Sequence, residues 1–251
     1  MKKSFLRLII VGGLMFVGCK SKQVIPTESI KQQVLFDDKK FDPYFKGLGT
    51  EPFWNIAIDN NFIVYKNMEG ALEVFPYSQS NSDTKYITAS NLNHQITIEL
   101  TKENCSDGMS DNTFDFKTKV LISGKSLQIN EKGCGNYIIP KSLQGKWELS
   151  YFNGKGISDH KFLKTPYIEF ENEAKKMSGN TSCNGINSTI DIEHDQIKFS
   201  KIAITKMMCI HENMESEFLK ELPNINRYEI IKNELQLFSG KELKMKFRKV
   251  Q

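Results

Sequence analysis

The sequence predicts a mainly β protein of two small antiparallel barrel or sandwich domains, the second carrying a single amphipathic helix. Three observations lead there. Apolar residues recur with a period of two in many short runs, separated by Asn, Gly and Ser clusters, as in antiparallel strands joined by turns. In the globular part, a firm helical period occurs in one segment only, near the C-terminus. Midway, Ile139-Pro140-Lys141-Ser142 interrupts the strand pattern and divides the chain in two.

The elements follow in chain order. Lys2, Lys3 and Arg7 precede an almost wholly apolar stretch from Leu8 to Val17. That stretch has the length of a signal core and is too short to cross a bilayer of about 30 Å. It ends in Phe16-Val17-Gly18-Cys19, which resembles the bacterial lipobox, where a small residue precedes an obligatory cysteine. Phe16 departs from the leucine usual at that place. The resemblance implies that residues 1–18 are a lipoprotein signal peptide and that Cys19 carries acyl chains. Two or three such chains suffice for stable anchoring, whereas one binds only marginally. Lys20-Ser21-Lys22-Gln23 contains no acidic sorting residue, so the expected location is the outer membrane, facing the periplasm. Residues 19–43 are polar with mixed charge and read as a flexible tether, with a short helix around Ser29–Leu35 as an option.

Residues 44–139 form the first expected domain. Trp54, Ile56 and Ile58 share one side of Phe53–Ile58, and Phe62–Tyr65, Tyr86–Thr88 and Gln95–Leu100 follow. Thr113–Ile122 places Phe114, Phe116, Thr118, Val120 and Ile122 in register, and Ser126–Ile129 follows a Ser123-Gly124-Lys125 turn. Gly47–Trp54 has two readings. One is a ligand lip made of glycines, the Glu51 carboxylate and an exposed Trp54; the other is a tight turn whose Trp54 plugs the barrel. In Cys105–Asp111, Asp107 and Asp111 offer oxygens of the kind that bind Ca²⁺, but the further acidic ligands of an EF-hand loop are missing, which favours a polar loop.

Residues 143–250 form the second. Strands are expected at Gly145–Tyr151, Tyr167–Phe170, Thr189–Glu193, Gln196–Phe199, Arg227–Ile231, Glu234–Phe238 and Glu242–Arg248. In Glu212–Leu222, Met214, Phe218 and Leu222 recur at intervals of four, with Leu219 widening the stripe. That is an amphipathic helix, stopped by Pro223 and placed to close one end of a barrel core.

Charge and cysteine content narrow the function. Of 34 basic residues against 30 acidic, three lie in the signal peptide, so the rest of the chain is close to neutral. No basic cluster interleaved with aromatics occurs, and nucleic acid is not an expected partner. With Cys19 lipidated, Cys105, Cys134, Cys183 and Cys209 remain. An even count in an exported protein reads as disulfides. Three connectivities exist, and Cys105–Cys134 with Cys183–Cys209 is favoured because each pair lies inside one expected domain. Each would close a loop of roughly 30 residues, worth about 3–4 kcal/mol in the chain-entropy model.

The second half resembles the META domain, also called the HslJ-like family. The resemblance rests on Leu143-Gln144-Gly145-Lys146-Trp147-Glu148-Leu149, on Met177 through Gly185 with its Ser182-Cys183-Asn184, on Thr205-Lys206-Met207-Met208-Cys209, and on the closing hairpin Gly240–Phe247. The first half resembles a small domain often found before META domains, through Gly49-Thr50-Glu51-Pro52-Phe53-Trp54, Cys105–Asp111 and Gly133-Cys134. These resemblances imply an envelope role linked to stress response and antibiotic tolerance, and they carry over no catalytic residues.

Met207, Met208, Cys209, His211 and Met214 put soft ligands close together, and such donors suit Cu(I). Core methionines, a disulfide cysteine and a surface histidine are the favoured explanation, and thiolate ligation excludes the disulfide. Asn184 is read as satisfying backbone groups in a turn. His94, His160, His194 and His211 each look isolated, and no nucleophile elbow, zinc-protease motif or phosphate loop occurs. The expectation is a non-enzymatic, membrane-tethered envelope protein without a cofactor, binding a protein or a small ligand in a barrel mouth. The alternatives are a copper-handling lipoprotein and a surface-presented lysozyme or protease inhibitor.

Overall fold

The computed structural model describes residues 41–78, 85–159, 161–171, 175–208 and 213–250. The signal peptide, Cys19 and the Ser29–Leu35 segment lie outside the described residues. Residues 39–251 form one compact unit containing two antiparallel sheets, each with its own apolar core. The mainly β class with a C-terminal amphipathic helix is therefore what the chain adopts. No helix among the described residues is long and apolar enough to cross a membrane.

The first sheet comprises β1 (Phe45–Thr50), β2 (Phe53–Ile58), β3 (Phe62–Asn67), β4 (Leu72–Pro76), β5 (Tyr86–Ser90), β6 (His94–Ser106), β7 (Thr113–Gly124) and β8 (Gln128–Tyr137). Their order across the sheet is β4-β3-β2-β1-β8-β7-β6-β5. Alternation sends Trp54, Ile56 and Ile58 of β2, Ile96, Ile98 and Leu100 of β6, and Thr118, Val120 and Ile122 of β7 to one buried face. To bury that face the sheet curls until its two ends meet. Asn91, in the β5–β6 turn, donates through Nδ2 to Glu73 Oε2 at 3.0 Å on β4, and His94 Nδ1 lies 3.2 Å from the same oxygen. His94 is thus not isolated, as its sequence context suggested; it ties the far edge of the sheet to β6. Phe45, Trp54, Tyr65 and Phe75 fill the interior, so room for a ligand has to be sought outside the lumen.

Two strands of this sheet are absent from the sequence reading. β4 is a short edge strand. β1 falls in the glycine-bearing Gly47–Thr50 stretch, where glycines interrupt the apolar alternation. Side chains of β2 press on this backbone, Ile56 at Gly47 and Trp54 at Gly49. A Cβ on Gly49 would lie 2.1 Å from Trp54 Nε1, and one on Gly133 would lie 2.0 Å from the Leu48 carbonyl oxygen.

The second sheet comprises β9 (Gly145–Phe152), β10 (Lys155–Gly156), β11 (Tyr167–Glu171), β12 (Lys176–Asn180), β13 (Gly185–Glu193), β14 (Gln196–Ile204), β15 (Arg227–Ile231), β16 (Glu234–Ser239) and β17 (Glu242–Lys249). Because β9 also pairs with β17, β9 and β11–β17 close into a ring, which removes free edges. β12 escaped the sequence reading because Met177 is its one fully apolar inward residue. Trp147 is fully buried and donates its indole N–H to the Leu143 carbonyl at 2.7 Å. The helix α1 (Glu215–Glu221) crosses between β14 and β15 and runs into a 3₁₀ turn, Leu222–Asn224, at Pro223. Phe218 and Leu222 enter the core, with Met214 and Leu219 packed at its margin.

Between the sheets, the Asp42 carboxylate accepts from the backbone N–H groups of Lys141 at 2.6 Å and Ser142 at 2.9 Å. Lys175 pairs with Asp115 at 2.8 Å, and the ring of Tyr44 meets that of His194 edge-on at 5.1 Å.

The Gly133 contact yields a test. Overpacking against backbone cannot be relieved by a rotamer change, so Gly133→Ala should cost about 1–3 kcal/mol. Urea unfolding followed by tryptophan fluorescence reads it.

Candidate functional site

The Cys105–Cys134 disulfide joins β6 to β8 across β7, with the two Cα atoms 5.6 Å apart. Beside it lies a cavity of about 550 Å³. Strand alternation decides which side chains meet it. Thr118 and Val120 point into the core, so Lys117 and Lys119 point to the outer face. Pairing places Glu99 opposite Lys119 and Lys119 opposite Lys132, while Leu48 sits opposite Cys134. The cavity is therefore a feature of the outer face, under the loop that follows β6.

That loop is braced from within. The Asp107 carboxylate accepts from the Ser110 N–H at 2.9 Å, the Ser110 hydroxyl at 2.8 Å and the Met109 N–H at 3.1 Å. The Ser110 N–H, then its hydroxyl, then the Met109 N–H hold the Asp107 carboxyl below the usual carboxylate range. Thr50 Oγ1 donates to the Asp107 carbonyl at 3.0 Å and straps the β1–β2 turn to the loop. The Asp107 oxygens are thus spent on their own turn, and Asp111 is exposed. No cluster of three or more His, Cys, Asp or Glu fit for a metal occurs among the described residues.

The lip reading of Gly47–Trp54 needs correcting at one residue. Trp54 is 1% exposed and stands in the core, where its Nε1 has no hydrogen-bond partner among the described residues. The exposed aromatic of that turn is Phe53. Glu51 does line the cavity.

In the second sheet the polar centre is Glu215, which sequence reasoning did not single out. This carboxylate is nearly buried at the start of α1. It accepts from the Thr181 hydroxyl, from the N–H groups of Cys183 at 3.2 Å and Asn184 at 2.8 Å, and from Asn184 Nδ2 at 2.8 Å. Asn184 in turn accepts, through Oδ1, from the Thr205 hydroxyl at 2.9 Å and the Met207 N–H at 2.7 Å. Asn184 is therefore more than a turn residue: it joins the β12–β13 loop to the helix on one side and to the end of β14 on the other. The available signal was Thr181 and Asn184 in one short segment and an acid opening a helix, about 30 residues apart, a pairing that only the fold brings together.

Cys183 is disulfide-bonded, so it offers no thiolate; Cys209, its expected partner, and His211 lie outside the described residues. Met207 and Met208 are strongly exposed, whereas Met214 packs at the core margin. The described soft donors of the copper alternative therefore face different surroundings. Glu73, His94 and Ser126 form a carboxylate–imidazole–hydroxyl chain, with His94 Nε2 at 3.4 Å from Ser126 Oγ. Neither His94 nor Ser126 lines the cavity beside the disulfide, and the chain's visible work is closing the first sheet.

Glu215 makes a stability test. Burial pushes its carboxyl up, but the donors from Thr181, Asn184 and Cys183 together outweigh this and hold it below its ordinary range. A carboxyl so lowered stabilises the fold at neutral pH, and that contribution is lost as pH falls through its folded value. Glu215→Gln sets an amide against Asn184 Nδ2 and should cost about 2 kcal/mol at pH 7. Denaturant titrations at several pH values should also show a shallower acid limb in the variant.

Comparison with known proteins places the second half. A protein whose structure was solved by NMR aligns at 20% identity over 42% of this chain and 89% of its own, with a TM-score of 0.34, too little shared shape to bear on fold or role. No protein with a curated description matches. Residues 141–251 match the family model of the META domain. Residues 141–251 of the chain are therefore a META domain.

Proposed function

We propose that this chain is a non-enzymatic binding protein of the cell envelope, held to a membrane by acyl chains on Cys19, with its ligand seated beside the Cys105–Cys134 disulfide. The cavity carries the reading. Its volume of about 550 Å³ falls in the range of small-molecule sites. Its walls are held before any ligand arrives, by the disulfide and by the Thr50–Asp107 strap. Preorganisation of this kind lowers the ordering cost of binding. The site sits on the outer face of a sheet whose interior is filled, so a ligand reaches it without opening the core.

The chemistry of the other groups supports binding rather than catalysis. Cys105, Cys134 and Cys183 are oxidised and offer no thiolate nucleophile. Glu215 is held ionised and saturated with donors, which suits a structural anchor better than a proton carrier. The META domain then serves as the closed, rigid partner of the ligand-bearing sheet.

Two measurements test this. Cys19→Ser should release the protein from the membrane fraction and remove the mass of the acyl chains; a variant that stays membrane-bound at unchanged mass would remove the anchor. Native mass spectrometry of protein extracted from membranes should show a co-purifying small molecule that is lost on reduction of Cys105–Cys134.

A further inference from the structure

We propose that Lys119 and Lys132 anchor an oxyanion, so that the ligand of the cavity carries a carboxylate or phosphate on an apolar body; this rests on the reading of the cavity as a binding site. The two lysines are direct cross-strand partners on β7 and β8, and both line the cavity. Like charges placed opposite one another destabilise a sheet. Neither lysine makes an ion pair within 4.0 Å among the described residues, although Glu99 stands opposite Lys119 on β6.

Neighbouring charges have contacts of their own. Lys117, one step along β7, is neutralised by Glu103 at 2.7 Å. Glu99, opposite Lys119, receives the Tyr86 hydroxyl at 3.2 Å. The Asp107 carboxylate is turned into its own loop. Glu51 lines the cavity from the β1–β2 turn. Lys119 and Lys132 are therefore lining cations without an ion pair among the described residues, and as direct cross-strand partners they can reach one acceptor. An oxyanion between them would gain charge-assisted hydrogen bonds from both ammonium groups and would relieve their repulsion. Beside the pair, Leu48 and the disulfide sulfurs supply an apolar wall. The arrangement suits a short apolar body ending in an oxyanion, whether that oxyanion comes from a carboxylic acid or from a phosphate group.

The test uses the detergent-solubilised full-length protein, followed by ¹H–¹⁵N NMR. The probes are inorganic phosphate, hexanoate and neutral hexanol, with sodium chloride at matched ionic strength as the control. Saturable shifts at the amides of Lys119, Lys132 and Cys134 are expected with phosphate or hexanoate and not with chloride. The responding probe tells which oxyanion the site prefers. The double variant Lys119→Gln/Lys132→Gln should weaken that binding at least tenfold, while Lys125→Gln, at an exposed lysine of the β7–β8 turn outside the cavity, leaves it within twofold. Because the double variant relieves a repulsion, its thermal midpoint should stay level or rise, which separates lost binding from lost folding. A double variant that titrates like the wild type overturns the proposal. So does saturable binding of hexanol with only chloride-like responses to both anions, although the cavity would then stand as a site for neutral ligands. Linear, chloride-like responses to all three probes would overturn the anion site and the cavity reading together.

Discussion

Each sheet buries one face against itself. Period-two alternation leaves Trp, Ile and Phe on one side and Lys, Glu and Thr on the other, and a lone sheet can hide the first side only by curling. The META domain completes the turn through the β9–β17 pairing. The first sheet completes it with side chains, through Asn91 and His94 meeting Glu73. Once both sheets have curled, their interiors are filled by packed apolar side chains.

The two sheets handle buried polar groups in contrasting ways. In the META domain, Glu215 gathers donors from Thr181, Cys183 and Asn184 until its charge is met. A carboxylate so fully satisfied binds the helix to the barrel and has nothing left to offer a ligand. On the first sheet, the outer-face charges are only partly matched: Lys117 has Glu103, but Lys119 faces Lys132. Saturation marks a structural centre; on the outer face, Lys119 and Lys132 lack an ion pair among the described residues, with Glu99 across from Lys119.

The disulfide links these themes. Cys105 and Cys134 belong to strands separated by β7, so their bond spans the sheet rather than merely closing a turn. It fixes the loop after β6 over the outer face, and the Thr50 strap brings the β1–β2 turn to the same place. Gly49 and Gly133 let Trp54 lie flat beneath that region, so the core below the cavity is tightly filled while the space above it stays open.

Much was legible from residue order. Strong alternation located β2, β6 and β7, the four-residue stripe of Met214, Phe218 and Leu222 located α1, and the cysteine count with domain division pointed to Cys105–Cys134. Strands with little apolar alternation were not legible. β1 and β12 carry glycines at inward positions, and their pairing comes from neighbours rather than from their own composition. The candidate site was legible only at its edges, as Glu51 and the cysteines. Trp54 went inward because the glycines beside it make room, a fact about contacts rather than about its own segment. The sequence by itself determined the strand class, the helix and the family of residues 141–251, because periodicity and local motifs are short-range. Only the tertiary structure decided that Glu215 meets Asn184 and that Lys119 meets Lys132, because both depend on which strands lie side by side.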